Sequence, residues 1–284
     1  MVMLRAVVAA AVAGLLGWRG LRKKSLSPSG AAAAVLVGFL SFLASFRFGL
    51  VLIAFYQSSS SLTKFQGERK RRLEAGYKEG GQRDAEQVFS CSLLATVMAV
   101  VFLLTQGEDQ PVDSAAAPMR SALLCAYLGH YACCNGDTWA SELGTLDSGL
   151  PRLVLAPWRK VPKGTNGGMS FLGTAASLAG GLFIGLVFVV CGPHSSPGAP
   201  SQLPLIALGA AGGFVGSLID SFLGATLQAT FYHREKRIIV PSSASDNADV
   251  DRITGVDILS NEQVNALSVA ITTALSFYAG LHYF

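Results

Sequence analysis

Apolar stretches long enough to cross a hydrocarbon layer of about 30 Å recur along this chain, at roughly 30–55, 88–105, 119–134, 169–191, 203–230 and 258–281. Lipid offers a backbone no hydrogen-bond partners, so anything that spans it must be helical or a closed barrel. Runs this long, without strict alternation, exclude the barrel. A further apolar run at 2–18 is followed by Arg19, Arg22, Lys23 and Lys24. That charge order is the reverse of a secretory signal and no convincing cleavage site follows, so the run reads as a retained helix. The expected fold is all-α, a polytopic bundle of six or seven transmembrane helices forming one membrane domain over residues 1–284. Composition supports this: with 51% hydrophobic and 14% charged residues and a mean hydropathy of +0.44, a soluble domain would be hard put to hide its apolar surface. The stretches at 88–105 and 119–134 are near the lower limit for a span, and one of them is expected to be tilted, re-entrant or partly interfacial.

The connections divide by charge. The loop at 56–87 holds Lys64, Arg69, Lys70, Arg71, Arg72, Lys78 and Arg83; 135–168 holds Arg152, Arg159, Lys160 and Lys163; 231–257 holds Arg234, Lys236, Arg237 and Arg252. The loops at 106–118 and 192–202 have no Lys or Arg. The basic set is therefore expected to face the cytosol. The cluster at 19–24 conflicts with that assignment if the first run spans. The five cysteines include no CxxC pair and are odd in number, which speaks against a disulfide framework or a zinc site. No nucleic-acid motif is present, and no nucleic-acid partner is expected.

Four polar groups stand out against the apolar background. In NGDTWASELG (135–144), Asp137 and Glu142 sit where an apolar helix reaches the basic face. An ionisable group near bilayer depth costs about 2.5–3.5 kcal/mol on insertion scales, which favours use as a ligand or proton carrier over helix capping. On a continuous helix the two acids would point about 140° apart, so only a bend would let both hold one ion. In WRKVPKGTNGG (158–168), glycines and a following helix N-terminus suit an anion, with Lys160 or Lys163 adding charge. A plain membrane-entry turn is the competing reading there. Gly209, Gly213, Gly216, Asp220 and Gly224 share one helical face, as a tight helix seam would, with an acid among its glycines. Asn261, Asn265, Ser268 and Thr272 share another and are expected to meet that seam. Arg47 either pairs with a carboxylate or snorkels. The run SSSSLTK (58–64) either supplies hydroxyls to a nucleotide or ends a helix in solvent.

At GDTWASELG, VPKGTNGG, GSLIDSFLGAT and NEQVN, and also at SSSSLTKF and YKEGGQR, the chain resembles the transmembrane protein 19 family over nearly its whole length. The wider family includes a plant phytyl-phosphate kinase, and related polyprenol and phytol kinases use a nucleotide triphosphate, typically CTP. The resemblance implies a membrane enzyme, expected in the endoplasmic reticulum, that transfers a phosphoryl group from CTP or ATP to an isoprenoid monophosphate. It implies that Asp137 and Asp220, with Glu142, hold Mg²⁺. It further implies that Lys163, with Lys160, and Gly164, Thr165, Asn166, Gly167 and Gly168 cradle phosphates, while Asn261 and Asn265 complete the pocket. Glu262 stands where the family is expected to carry Asp. Two other readings stay open: a carrier of an anionic or phosphorylated solute, and a non-catalytic membrane regulator.

Overall fold

The computed structural model describes residues 2–71, 82–193, 200–242 and 247–284, with backbone alone at residue 2 and over 66–71. Arg72, Lys78 and the start of YKEGGQR lie outside the described residues, as does part of the 192–202 loop. The helices are α1 (Val2–Arg22), α2 (Pro28–Ala44), α3 (Phe46–Arg71), α4 (Ala85–Thr105), α5 (Pro118–Leu143), α6 (Phe171–Val190), α7 (Pro204–Leu227) and α8 (Asn261–His282). Five of them, α1, α4, α6, α7 and α8, are long and apolar enough to cross a membrane on their own. The chain is a polytopic helical membrane protein.

The stretch at 30–55 is not one span. Ser45 is extended, with φ −159° and ψ 143°, and separates α2 from α3. Its hydroxyl accepts from the Arg47 N–H at 3.0 Å and donates to Asp109 at 2.7 Å, so a short polar side chain satisfies the new helix start and ties it to the loop before α5. This extra helix removes the conflict at 19–24. α1 and α2 form an antiparallel pair in which Arg5 donates to the Ala44 carbonyl at 3.3 Å. The basic cluster is thereby delivered to the end where Lys64 donates to the Lys23 carbonyl at 2.9 Å and Ser27 N–H donates to the Arg83 carbonyl at 2.9 Å. With an even number of passes between them, 19–24 and the three basic loops share one end of the bundle.

Helix α5 corrects a second expectation. It is not short: its 26 residues rise about 39 Å, and every residue from Ser121 to Gly136 is buried. It packs against α3, α4, α6, α7 and α8. A helix enclosed by other helices needs no lipid-compatible surface. It can carry Tyr127, His130, Tyr131 and Asn135, which depress its hydropathy and made the span look curtailed. His130 accordingly finds partners in Thr273 at 3.2 Å and the Cys91 carbonyl at 2.9 Å.

Helices α6 and α7 meet through glycine. A Cβ added to Gly213 would lie 2.7 Å from the Gly181 Cα, so the two backbones touch as small-residue membrane seams do. Beyond the helices, two small antiparallel sheets cap the basic end. The first is ordered β2-β1-β3, from β1 (Arg152–Leu153), β2 (Ala156–Lys160) and β3 (Gly168–Met169). The second is ordered β5-β4-β6, from β4 (Thr230–His233), β5 (Ile238–Val240) and β6 (Val250–Thr254).

At the opposite end Arg47 pairs with a carboxylate instead of snorkelling. It is 1% exposed, donates from Nε to Asp109 at 2.9 Å and from Nη2 to both Asp109 and the Gln110 carbonyl, and stacks 4.4 Å from the centre of the Phe188 ring.

Candidate functional site

A polar cavity of about 890 Å³ opens at the basic end, where α3 and α5 arrive, α4, α6 and α8 begin, and α7 ends. Its size lies at the upper end of the range of about 300–1,000 Å³ usual for small-molecule sites. Asp137, Glu142, Lys163, Gly164, Thr165, Asn166, Gly167, Gly168, Asp220, Asn261 and Asn265 all line it. Lys160 does not: it is exposed on β2, outside the cavity lining. A residue in a strand alternates faces with its neighbours, and nothing in the spacing of the two lysines revealed that they part company.

The two acids of α5 face different partners. The segment stays helical through Leu143, so the five-residue spacing separates them around the helix. Asp137 turns toward α7 and accepts from Ser217 at 3.3 Å. Glu142, 3% exposed, turns toward α3 and accepts from Thr63 at 2.9 Å. A single ion shared by Asp137 and Glu142 is therefore not the geometry seen. Asp220 stands one helical turn beyond Ser217 on α7 and accepts from Ser268 of α8 at 3.1 Å. Asp137 and Asp220 thus both line the cavity, each with a serine hydroxyl donating to it, and the serine that holds Asp137 lies one turn of α7 before Asp220.

The glycine face of α7 makes this approach possible. Gly213 meets α6, Gly216 meets Cys133 of α5 and Thr272 of α8, and Gly224 meets Asn166 and Gly167. The face of α8 holding Asn265, Ser268 and Thr272 meets that seam, as the periodicity predicted. The serine run of α3 turns inward: Ser58 and Ser59 donate to the Asn135 side-chain oxygen at 2.8 and 3.2 Å, and Asn135 donates to the Gly180 carbonyl at 2.9 Å. These hydroxyls bind helix to helix.

The turn at 161–168 borders the cavity with much of its hydrogen bonding already spent. Gly164 and Gly167 adopt φ +88° and +75°, which only glycine takes without strain. Asn166 N–H donates to Thr230 at 3.1 Å and Gly168 N–H to the Thr165 carbonyl at 2.9 Å, so the turn is knitted to itself and to β4. Lys163 donates to the Thr145 carbonyl at 3.1 Å and to the Asp147 carbonyl. The N-terminus of α6 is also occupied: Ser170 accepts from Gly173 N–H at 3.0 Å and the Asp147 carboxylate from Leu172 N–H at 3.3 Å. Backbone N–H groups of Gly149 and then Leu172 hold the Asp147 carboxyl below its usual range. The anion at this helix start is the protein's own.

Two cavity residues carry no mark in the sequence. Arg83 counts there as one of several bases in a charged loop, and Gln87 as an ordinary residue of a helix start. In the structure both line the cavity, with the Arg83 guanidinium 5.8 Å from the centre of the Phe55 ring. Among the described residues no cluster of three His, Cys, Asp or Glu side chains is placed to hold a metal. The donors that do converge, two carboxylates with neighbouring hydroxyls, are hard oxygen ligands of the kind Mg²⁺ takes with substrate phosphates and water completing the shell.

The sequence matches the family model described as integral membrane protein DUF92 over residues 11–273. It is 41% identical to Protein PGR of Arabidopsis thaliana, over 99% of this chain and 98% of that protein. It is 28% identical to the uncharacterized membrane protein sll0875 of Synechocystis sp., over 72% of this chain and 73% of that one. Its identity to Protein VTE6, chloroplastic, of Arabidopsis thaliana is 26%, over 72% of this chain and 56% of the relative. No solved structure matches the chain.

Proposed function

The chain belongs to the integral membrane protein DUF92 family, and from that premise we propose that it phosphorylates an isoprenoid monophosphate, phytyl or polyprenyl, to the diphosphate with CTP or ATP as donor. The observation that carries this reading is the convergence of Asp137 and Asp220, from two different helices, on one polar cavity at the basic end of the bundle. The basic loops suit a cytosolic orientation, and the endoplasmic reticulum is the membrane we assign.

In such a transfer an oxygen of the lipid phosphate attacks the terminal phosphorus of the nucleotide, a new P–O–P bond forms, and the bond from that phosphorus to the oxygen bridging to the next phosphate breaks to release the nucleoside diphosphate. The chemistry needs positioning and charge neutralisation more than a protein nucleophile. Asp137 and Asp220 would hold Mg²⁺, which when bound neutralises phosphate charge. Ser217 and Ser268 orient the two carboxylates. Asn261 and Asn265, at the start of α8, add amide groups to the cavity wall, and Gly164 and Gly167 let substrate approach the backbone of the turn. The Arg47–Asp109 pair packs the opposite end, which suits a site served from one side better than a carrier opening to both.

Purified protein in nanodiscs, given Mg²⁺, labelled CTP or ATP and phytyl or geranylgeranyl monophosphate, is expected to form labelled diphosphate. Asp137→Asn and Asp220→Asn are each expected to lower the rate at least ~100-fold, the scale of losing one preorganised electrostatic contact, with unchanged elution in size-exclusion chromatography. Undiminished turnover by both variants would remove these acids from the mechanism.

A further inference from the structure

Arg83 reaches the polar cavity from the connection just before α4, and its backbone is gripped by the connection between α1 and α2. Its N–H donates to the Ser25 carbonyl at 3.1 Å and its carbonyl accepts from Ser27 N–H at 2.9 Å, so Leu26 and Arg83 form a parallel bridge. Gln82 adds a bond to the Leu26 carbonyl at 3.2 Å, and the Ser25 hydroxyl shares a hydrogen bond of 2.7 Å with Tyr56 of α3. Gly30, in the first turn of α2, comes so close that an added Cβ would collide with the Arg83 carbonyl oxygen. Resting on the kinase reading above, we propose that Arg83 is a phosphate-binding residue of the polar cavity, and that the connection between α1 and α2 serves to hold it in place.

The ligand class follows from the charges on the wall. Asp137, Glu142, Asp220, Asp257 and Glu262 line the cavity, so a phosphate that enters meets acids and needs a cation to offset them. Arg83 and Lys163 are the two cations of the lining among the described residues. Lys163 is engaged by the carbonyls of Thr145 and Asp147. Arg83 has no carboxylate partner among the described residues; its guanidinium lies 5.8 Å from the centre of the buried Phe55 ring. The Cys91 thiol, in the same wall, is within electrostatic range of both Arg83 and Asp137, so cation and acid address one space. A planar guanidinium can hold two phosphate oxygens with parallel hydrogen bonds, which a lysine ammonium cannot.

The mount matters because a charge aimed at a phosphoryl group contributes most when it is fixed beforehand. An arginine side chain is long, and fixing its backbone leaves only the side-chain torsions to be ordered by the ligand. The chain on the far side of Arg83 is fixed as well: Asp84 caps α4 by accepting from Gln87 N–H at 3.1 Å, and Gln87 closes the capping box at 3.3 Å. Arg83 thus sits between a bridge and a cap, with no free joint on either side. The arrangement also gives the first two helices a part in the site. Neither α1 nor α2 supplies a residue to the cavity lining, and the bridge to Arg83 is how they bear on it.

The test uses the full chain in nanodiscs with Mg²⁺ and two probes whose binding is measured without turnover, a fluorescent non-hydrolysable CTP analogue and geranylgeranyl monophosphate. Arg83→Gln is expected to weaken one of them about tenfold or more, the size of a lost charge-assisted contact, with melting temperature unchanged. Loss confined to the CTP analogue places Arg83 on the nucleotide, and loss confined to the lipid places it on the acceptor phosphate. Arg83→Lys is expected to restore part of the loss, since charge returns without the fork. Gly30→Ala, which displaces the mount and keeps the guanidinium, is expected to weaken the same probe by a smaller factor. Undiminished binding of both probes by Arg83→Gln, in protein that still turns over, would overturn the site and leave the kinase reading standing. Arg83-dependent binding without phosphoryl transfer would keep the site and remove the kinase reading; wild-type protein that neither binds a probe nor turns over would overturn both.

Discussion

At one end of the bundle Arg47 is held by Asp109, the Gln110 carbonyl and the Phe188 ring, while at the other Asp137 and Asp220 border a cavity of about 890 Å³ with serine hydroxyls donating to them. Both ends place ionisable groups close to hydrocarbon, where charge is costly. The first end neutralises its charge with an opposite charge. The second leaves carboxylates facing space that a ligand can enter. A buried charge with a dedicated partner holds a structure together; a charge kept at a cavity wall is available for something that arrives. The difference also assigns the expected consequence of mutation, stability at one end and activity at the other.

The comparison breaks most visibly at Arg47. Arg47→Ala strands Asp109 and is expected to cost about 3–5 kcal/mol, seen as a sharp loss of folded protein on thermal challenge in detergent. Arg47→Ala and Asp109→Asn are expected to leave the specific activity of surviving protein intact, whereas Asp220→Asn does the reverse. If Arg47→Ala proved as stable as the wild type, the two ends would not differ in the way described. A smaller effect is expected in the seam that brings the acids together: Gly213→Ala forces α6 and α7 apart and should destabilise by about 1–3 kcal/mol, with a partial loss of activity measured alongside. The smallest concerns Asp147, whose folded carboxyl is held low by the Gly149 and Leu172 N–H groups. A depressed folded value means that its contribution is present above the unfolded value and is lost as pH falls through the folded one. The melting difference between wild type and Asp147→Asn should thus be slight at neutral pH and close in acid; a gap that widened in acid would reverse the assignment.

Much of this was legible before any coordinates. Apolar length marked the spans of α4, α6, α7 and α8; loop charge marked the end where the site lies; and the i, i+4 spacing of small and polar residues on α7 and α8 marked two faces that do meet. The break at Ser45 was not legible, because apolar residues flank it on both sides and its cause is a carboxylate 64 positions away. Nor was the length of α5, because a helix surrounded by protein escapes the hydropathy that lipid imposes. Lys160 and Lys163 look alike in sequence, yet one ends on an exposed strand and the other in a cavity wall.

What the sequence determined alone was the solvent of each segment. Hydrophobicity, glycine content and loop charge act locally and additively, so they report membrane or water without reference to distant residues. Which polar groups meet, Arg47 with Asp109, Asp137 with Ser217 and Asp220 with Ser268, was decided only by tertiary structure. Pairing depends on helix rotation and on how closely two backbones approach, and those are settled by glycine contacts between helices far apart in the chain.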